Sequence, residues 1–272
     1  MDISRNGARL LSYLTAAIIL SSSPSEAKEL VTVKPAYGGE LSFVLLEPDN
    51  PKAVVILFPG GRGYLKLTRE GEIRKQKKSF LVVNHVGFVE KGLAVAIFNP
   101  PDGMDDLRRT YRISEHHGQD IQAVVESLKK KIADVPVWLI GHSRGTFSAT
   151  NGAIKLGNLV SGLVLASTIT KSRENYAIYE THPNGVLNMD LASIQVPTLV
   201  LANKPDSCAS SPASNAEKVL KALVGSSAAT VKVYGDEDPD GDSCKWGGPH
   251  HFAGFEQKTE AAIVEFVEAQ SK

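Results

Sequence analysis

The chain has 272 residues, with 30 basic and 30 acidic side chains that balance to zero formal charge. Zero charge excludes a general electrostatic attraction to nucleic acid or to an anionic membrane. The 23 glycines and 14 prolines form no collagen-like period or low-complexity run, and two cysteines are too few for a disulfide scaffold or a thiolate-rich zinc site. A hydrophobic fraction of 42% is ordinary for a globular domain.

In chain order, the first element is an export signal. Arg5 and Arg9 precede an apolar stretch, Leu10 to Leu20, and Ser25 and Ala27 then satisfy the small-x-small rule for cleavage. The stretch is too short to span a bilayer, which takes about 20 residues. The expected division is a signal peptide over 1–27 and one domain over 28–272, exported to the periplasm or the medium, with no membrane association once the signal is removed. In an oxidising compartment Cys208 and Cys244 are expected to pair.

Leu30 to Val33 and Leu41 to Leu46 flank Tyr37, Gly38 and Gly39, and predict an antiparallel hairpin at a sheet edge. Apolar runs without polar alternation follow at 53–58, 93–98, 135–140, 159–166 and 196–202, with a last strand at 230–234. Such runs suit strands buried on both faces. Helical patterns lie between them at 80–91, 118–131, 147–156 and 214–223, and another closes the chain at 256–269. This alternation predicts crossover units on a largely parallel sheet, hence an α/β domain.

Gly141, His142, Ser143, Arg144 and Gly145 stand directly after one apolar strand and directly before a helix. The G-x-S-x-G pattern in that setting describes a tight turn that lifts the Ser143 hydroxyl above the sheet edge. The turn also leaves the Arg144 backbone N–H free for a developing oxyanion. A second oxyanion donor is expected from the loop Pro59, Gly60, Gly61, Arg62, Gly63, at the Gly61 N–H with Arg62 as the alternative. No Lys-Ser/Thr follows these glycines, so the loop is not a phosphate loop.

With these motifs the chain resembles the α/β-hydrolase family over about 30–272. The resemblance implies a mostly parallel twisted sheet with helices on both faces, and a triad in the chain order Ser, Asp, His. Ser143 is then the nucleophile and Asp206, just past the strand at 196–202, is the acid, with Asp190 and the acids of 236–242 as competitors. His250, in the sequence Gly248 to Gly254 before the last helix, is the base, with His251 as its rival. A serine hydroxyl needs a base to remove its proton, and a carboxylate fixes the tautomer and the charge of that base. If acid and base meet, Cys208 and Cys244 are brought close, and a bridge between them would hold both loops in register.

Other polar clusters are expected to be structural. The acidic run 236–242 resembles the start of a calcium loop, but its twelfth position is Gly247 rather than Glu. His116 and His117 would need distant partners to bind zinc and are expected at the surface or a pocket rim, and the basic run 74–78 reads as a solvated face or a loop. Arg62 and Arg144 flank the oxyanion donors and either meet a carboxylate or phosphate on a substrate or point into solvent. No metal or cofactor is implied, and no oligomeric state is indicated. The short segment 167–195 leaves room for a small lid at most. The resulting expectation is a serine hydrolase that cleaves small-molecule carboxylic esters of small or medium acyl groups through an acyl-enzyme. The competing readings are a peptidase or amidase on the same triad and a noncatalytic binding protein that keeps the fold.

Overall fold

A computed structural model describes residues 27–107, 110–236 and 244–271. The expected export signal lies outside the described residues except for Ala27, and so does the acidic run apart from Asp236.

Eight strands form one sheet: β1 (Ala27–Val33), β2 (Leu41–Glu47), β3 (Ala53–Phe58), β4 (Leu93–Ile97), β5 (Val137–His142), β6 (Gly162–Ala166), β7 (Thr198–Asn203) and β8 (Ala229–Tyr234). Their spatial order is β1-β2-β4-β3-β5-β6-β7-β8. The expected hairpin of β1 and β2 stands at one edge, and β2 also runs antiparallel to β4. All remaining pairs are parallel.

The continuous apolar runs serve two cores at once, because successive strand residues point to opposite faces. On one face Val54, Ile56 and Phe58 of β3 pack with α3 (Glu115–Lys131), α4 (Gly145–Leu156) and α5 (Ala216–Ala222). On the other, Val55 and Leu57 pack with α1 (Phe80–Val83), α2 (His85–Glu90) and α6 (Glu256–Gln270). Helices therefore cover both faces, as in the α/β-hydrolase fold.

Several boundaries differ from the periodic reading, each for a local reason. The helix expected over 80–91 is broken at Asn84, whose side-chain amide donates to the Phe80 carbonyl at 2.7 Å. α3 begins at Glu115 rather than Gly118, because the Ser114 hydroxyl caps it by accepting the His117 N–H at 3.2 Å. β5 begins at Val137, past Pro136, which has no N–H to give to a ladder. The segment 167–195 contains 3₁₀ turns at Ala177–Glu180, Gly185–Asn188 and Leu191–Ser193 and no α-helix, so it forms no more than a short cap.

Candidate active site

Ser143 occupies the turn between β5 and α4 with φ +54°, a left-handed conformation that costs energy for a residue with a β-carbon. The turn is possible because its neighbours are glycines. A β-carbon on Gly141 would stand 2.6 Å from the Gly145 carbonyl oxygen, and one on Gly145 would stand 1.8 Å from that of Phe58. The Ser143 N–H donates to the Ala166 carbonyl of β6 at 2.9 Å, and the Thr146 hydroxyl donates to the Ser143 carbonyl at 2.6 Å.

The sequence separates Ser143, Asp206 and His250 widely, and the fold brings them together. His250 Nε2 lies 2.9 Å from Ser143 Oγ, and its Nδ1 lies 2.8 Å from Asp206 Oδ2. Both His250 and Asp206 are buried, at 2% and 3% exposure. Asp206 Oδ1 accepts the Cys208 N–H at 2.9 Å, and Oδ2 accepts the Ser211 hydroxyl at 2.9 Å. With Asp206 accepting at Nδ1, the His250 ring carries its proton there and presents Nε2 as an acceptor to the serine.

Three groups hold the His250 turn in place. Its carbonyl accepts from the Ser167 hydroxyl and from His142 Nε2, each at 2.9 Å. The preceding Pro249 carbonyl accepts from the Asn203 amide at 2.8 Å. His142 is fully buried, and burial pushes it well below the ordinary histidine value, with His251 and His250 adding to the effect. None of His142, Ser167, Asn203 and Ser211 was singled out from sequence. A signal for three of them existed: each is a polar residue at or just past the end of an apolar strand, at the edge where the site lies.

The rival residues stand elsewhere. His251 Nδ1 accepts the Phe80 N–H at 3.1 Å, and the ring stacks on Trp246 and lies tilted against His142. Burial, reinforced by His250, pushes its pKa down to about 4, so it is neutral at physiological pH. Asp190 is exposed in a turn, where its carbonyl accepts from Ser193. His117 is buried beside Asp120, which also accepts from Tyr37 at 2.5 Å and Tyr111 at 2.7 Å; the His116 ring lies tilted against that of Tyr37. His117 is thus buried in a polar and aromatic cluster rather than standing at the surface or a pocket rim, whereas His116 is exposed. Asp206, Cys208 and His250 are close enough together for a metal, but the Cys208 sulfur is joined to Cys244 in a disulfide.

The loop after β3 presses against the serine. A β-carbon on Gly60 would lie 2.8 Å from Ser143 Cβ, so only glycine fits there. Gly61 follows with φ +56°. Among the described hydrogen bonds, neither the Gly61 nor the Arg144 N–H has a backbone acceptor. The exposed Arg62 also fits no such bond through its N–H, but its carbonyl accepts from Leu107 at 2.7 Å. Arg112, 2% exposed, braces the loop by donating to the Pro59 carbonyl at 3.1 Å while its other terminal nitrogen donates to Ser148 Oγ at 2.7 Å. With its amide oriented to satisfy both ends, Gln76 donates to the Gly60 carbonyl at 3.0 Å and accepts from the N–H groups of Gly63 and Tyr64 at 2.9 and 3.0 Å. These atoms open onto a cavity of about 250 Å³ lined by Ser143, His250, Phe147, Tyr176 and Trp246 among others. Such an arrangement can remove a serine proton, attack an acyl carbon and receive the resulting oxyanion.

The family model described as serine aminopeptidase, S33, matches residues 49–236, a span that includes Gly61, Ser143 and Asp206 and stops short of His250. No curated protein matches the sequence. Among solved structures, the esterase Pf2001 of Pyrococcus furiosus superposes with a TM-score of 0.63 at 15% identity, covering 98% of this chain and 100% of that one. A highly thermostable carboxyl esterase from Bacillus coagulans superposes with a TM-score of 0.60 at 13% identity, covering 90% and 99%. An acylaminoacyl peptidase from Pyrococcus horikoshii has a TM-score of 0.61 at 14% identity; 94% of this chain covers 43% of that one. At these identities the structures speak for a shared fold, and the family match speaks for the chemistry class. The chain belongs to the S33 serine aminopeptidase family of α/β-hydrolases and is a hydrolase.

Proposed function

We propose that this protein is an exported serine hydrolase that cleaves carboxylic esters of small or medium acyl groups through an acyl-enzyme on Ser143. The carrying observation is the run of contacts from Ser143 Oγ through His250 to Asp206, at 2.9 and 2.8 Å.

In the proposed reaction, His250 Nε2 takes the Ser143 proton as Oγ bonds to the ester carbonyl carbon. The carbonyl π electrons move onto oxygen, and the N–H groups of Gly61 and Arg144 receive that charge. Asp206 stabilises the imidazolium without taking its proton. The intermediate collapses as His250 gives the proton to the departing alkoxide, leaving an alcohol and an acyl ester on Ser143. Water, deprotonated by His250, then attacks the acyl carbon, and the proton passes back to Ser143 Oγ as the acid leaves. Neutral His142 and His251 flank the base without competing for the proton.

Esters are favoured over free-amino peptides by the lining of the cavity. An aminopeptidase has to hold an α-ammonium group, and no Asp or Glu lines this cavity among the described residues. A peptidase acting on a blocked amino terminus escapes that objection and is the second reading.

Fluorophosphonate labelling tests the nucleophile: wild type should be labelled and Ser143→Ala should not. Equal labelling of the two, or none of wild type, would remove the proposed role of Ser143. p-Nitrophenyl esters of increasing chain length, assayed beside aminoacyl and acyl-aminoacyl anilides, decide the bond type; faster anilide cleavage would replace the ester reading by the peptidase one. Export predicts a mature chain that begins near Lys28, which intact-mass measurement of secreted material checks.

A further inference from the structure

The walls of the cavity carry an excess of positive charge on a chain that has none overall. Arg112, Arg144, Lys171 and Arg173 all line the space in front of Ser143. An adjoining cavity, which shares Gly61, Arg144, Tyr176 and Trp246 with the first, adds Arg62, Lys75, Lys77 and Lys78. No Asp or Glu lines either space, and none of these cations is ion-paired, among the described residues. With 30 bases and 30 acids in the whole chain, this one-sided lining is local.

Arg112 makes the imbalance costly for the free protein. Its guanidinium is 2% exposed and meets only a neutral hydroxyl and a carbonyl, and its Nε has no partner. Burial, with Arg144 nearby, lowers its pKa to about 9, and Asp106 offsets this only in part. A buried cation with no carboxylate in contact is expensive unless something supplies the missing charge. Arg144 is already oriented: its guanidinium stacks on the Tyr176 ring at 4.5 Å and donates to the Tyr176 hydroxyl at 2.7 Å. One edge of a planar, stacked guanidinium is thereby fixed, and its remaining donors suit a carboxylate or phosphate. Lys171 and Arg173 are exposed at the rim, where Arg173 reaches the Cys244 sulfur at 3.3 Å.

We infer that the substrate is an ester carrying a second, anionic oxyacid group, a carboxylate or a phosphate, which is held by Arg144, Lys171 and Arg173 over the charge of Arg112. The inference rests on the ester-hydrolase reading and adds the substrate class to it. A focused positive field also raises the encounter rate with such an ester, and salt should screen that gain.

The test compares p-nitrophenyl monoesters of glutaric acid and of a 4-phosphonobutyric acid with neutral p-nitrophenyl valerate. At low ionic strength the preferred anionic ester should show a kcat/KM roughly tenfold or more above the neutral one, and the preference should shrink toward unity in about 1 M salt. The relative rates of the two anionic esters identify the group. The double change Lys171→Gln with Arg173→Gln should cut the anionic-to-neutral ratio severalfold. A ratio near one in wild type, or a ratio unmoved by both salt and the double change, overturns the inference while leaving the hydrolase reading intact. If no ester is cleaved, binding decides the matter. In Ser143→Ala, methyl hydrogen glutarate and methyl 4-phosphonobutyrate should perturb the fluorescence of Trp246, which is 46% exposed at the cavity, more than methyl valerate does. Anion binding that the double change weakens would uphold the charge reading without the chemistry; equal response to all three probes would end it.

Discussion

Ser211 shares the Asp206 carboxylate with His250. Its hydroxyl donates to Oδ2 at 2.9 Å and stands 3.1 Å from His250 Nδ1, so it fixes the plane in which the acid meets the ring. It touches no reacting atom and is a positioning residue. Ser211→Ala leaves Asp206 with the Cys208 N–H and the ring as donors, which removes about 1 kcal/mol of hydrogen bonding and should lower kcat about fivefold with KM nearly unchanged. His250→Asn should cost about 10⁴ in kcat, because it removes the proposed base. His251→Asn should cost less than about tenfold, because the asparagine amide oxygen can still accept the Phe80 N–H. Steady-state rates on one p-nitrophenyl ester separate the three, and a loss at His251 as deep as that at His250 would reverse the assignment of the base.

At the level of elements, two glycines separate folding from chemistry. Gly145 opens α4 where a β-carbon would lie 1.8 Å from the Phe58 carbonyl oxygen of β3, and backbone on both sides leaves no room to yield. Gly145→Ala should therefore cost more than about 3 kcal/mol, seen as a large drop in the urea midpoint or as insoluble protein. At Gly60 the clash is with Ser143 Cβ at 2.8 Å, so Gly60→Ala should shift the serine and lower kcat at least about a hundredfold with a much smaller loss of stability. Full activity in Gly60→Ala would argue against the close apposition of the two loops. The same elements show what sequence can carry. β3 was legible to the residue, because a run apolar on both faces has sharp ends at Lys52 and Pro59. The elbow was legible because its glycines answer to two backbone collisions within a few residues. The split at Asn84 was not, since it depends on a side-chain amide taking a carbonyl from its own helix. The anchors Ser167 and Asn203 act through carbonyls of residues more than forty positions away, and no local pattern encodes such partners.

For the whole molecule, stability and site geometry depend on the same two long-range features. The disulfide from Cys208 to Cys244 closes a separation of 36 residues and ties the loop after Asp206 to the segment leading to His250. In the chain-entropy model such a closure is worth roughly 3–4 kcal/mol, so Cys208→Ser with Cys244→Ser should lower the thermal midpoint by several degrees and kcat along with it. An unchanged midpoint would show that neighbouring packing already fixes both loops. The second feature is a set of buried neutral histidines, His117, His142 and His251, each held below the ordinary value chiefly by burial. In the unfolded chain each titrates near 6.5, whereas folded His251 does so at about 4. Between those values the unfolded state binds more protons, so stability must fall as pH drops from about 6.5 toward about 4, and is fully present above that window. Urea midpoints at about pH 7, 5.5 and 4.5 should decline in wild type and decline less steeply in His251→Asn, which keeps the acceptor for Phe80 but has no proton to gain. Parallel curves for the two proteins would mean that His251 is not among the groups that charge on unfolding, and that other groups set the acid limb, the fully buried His142 and His117 among them.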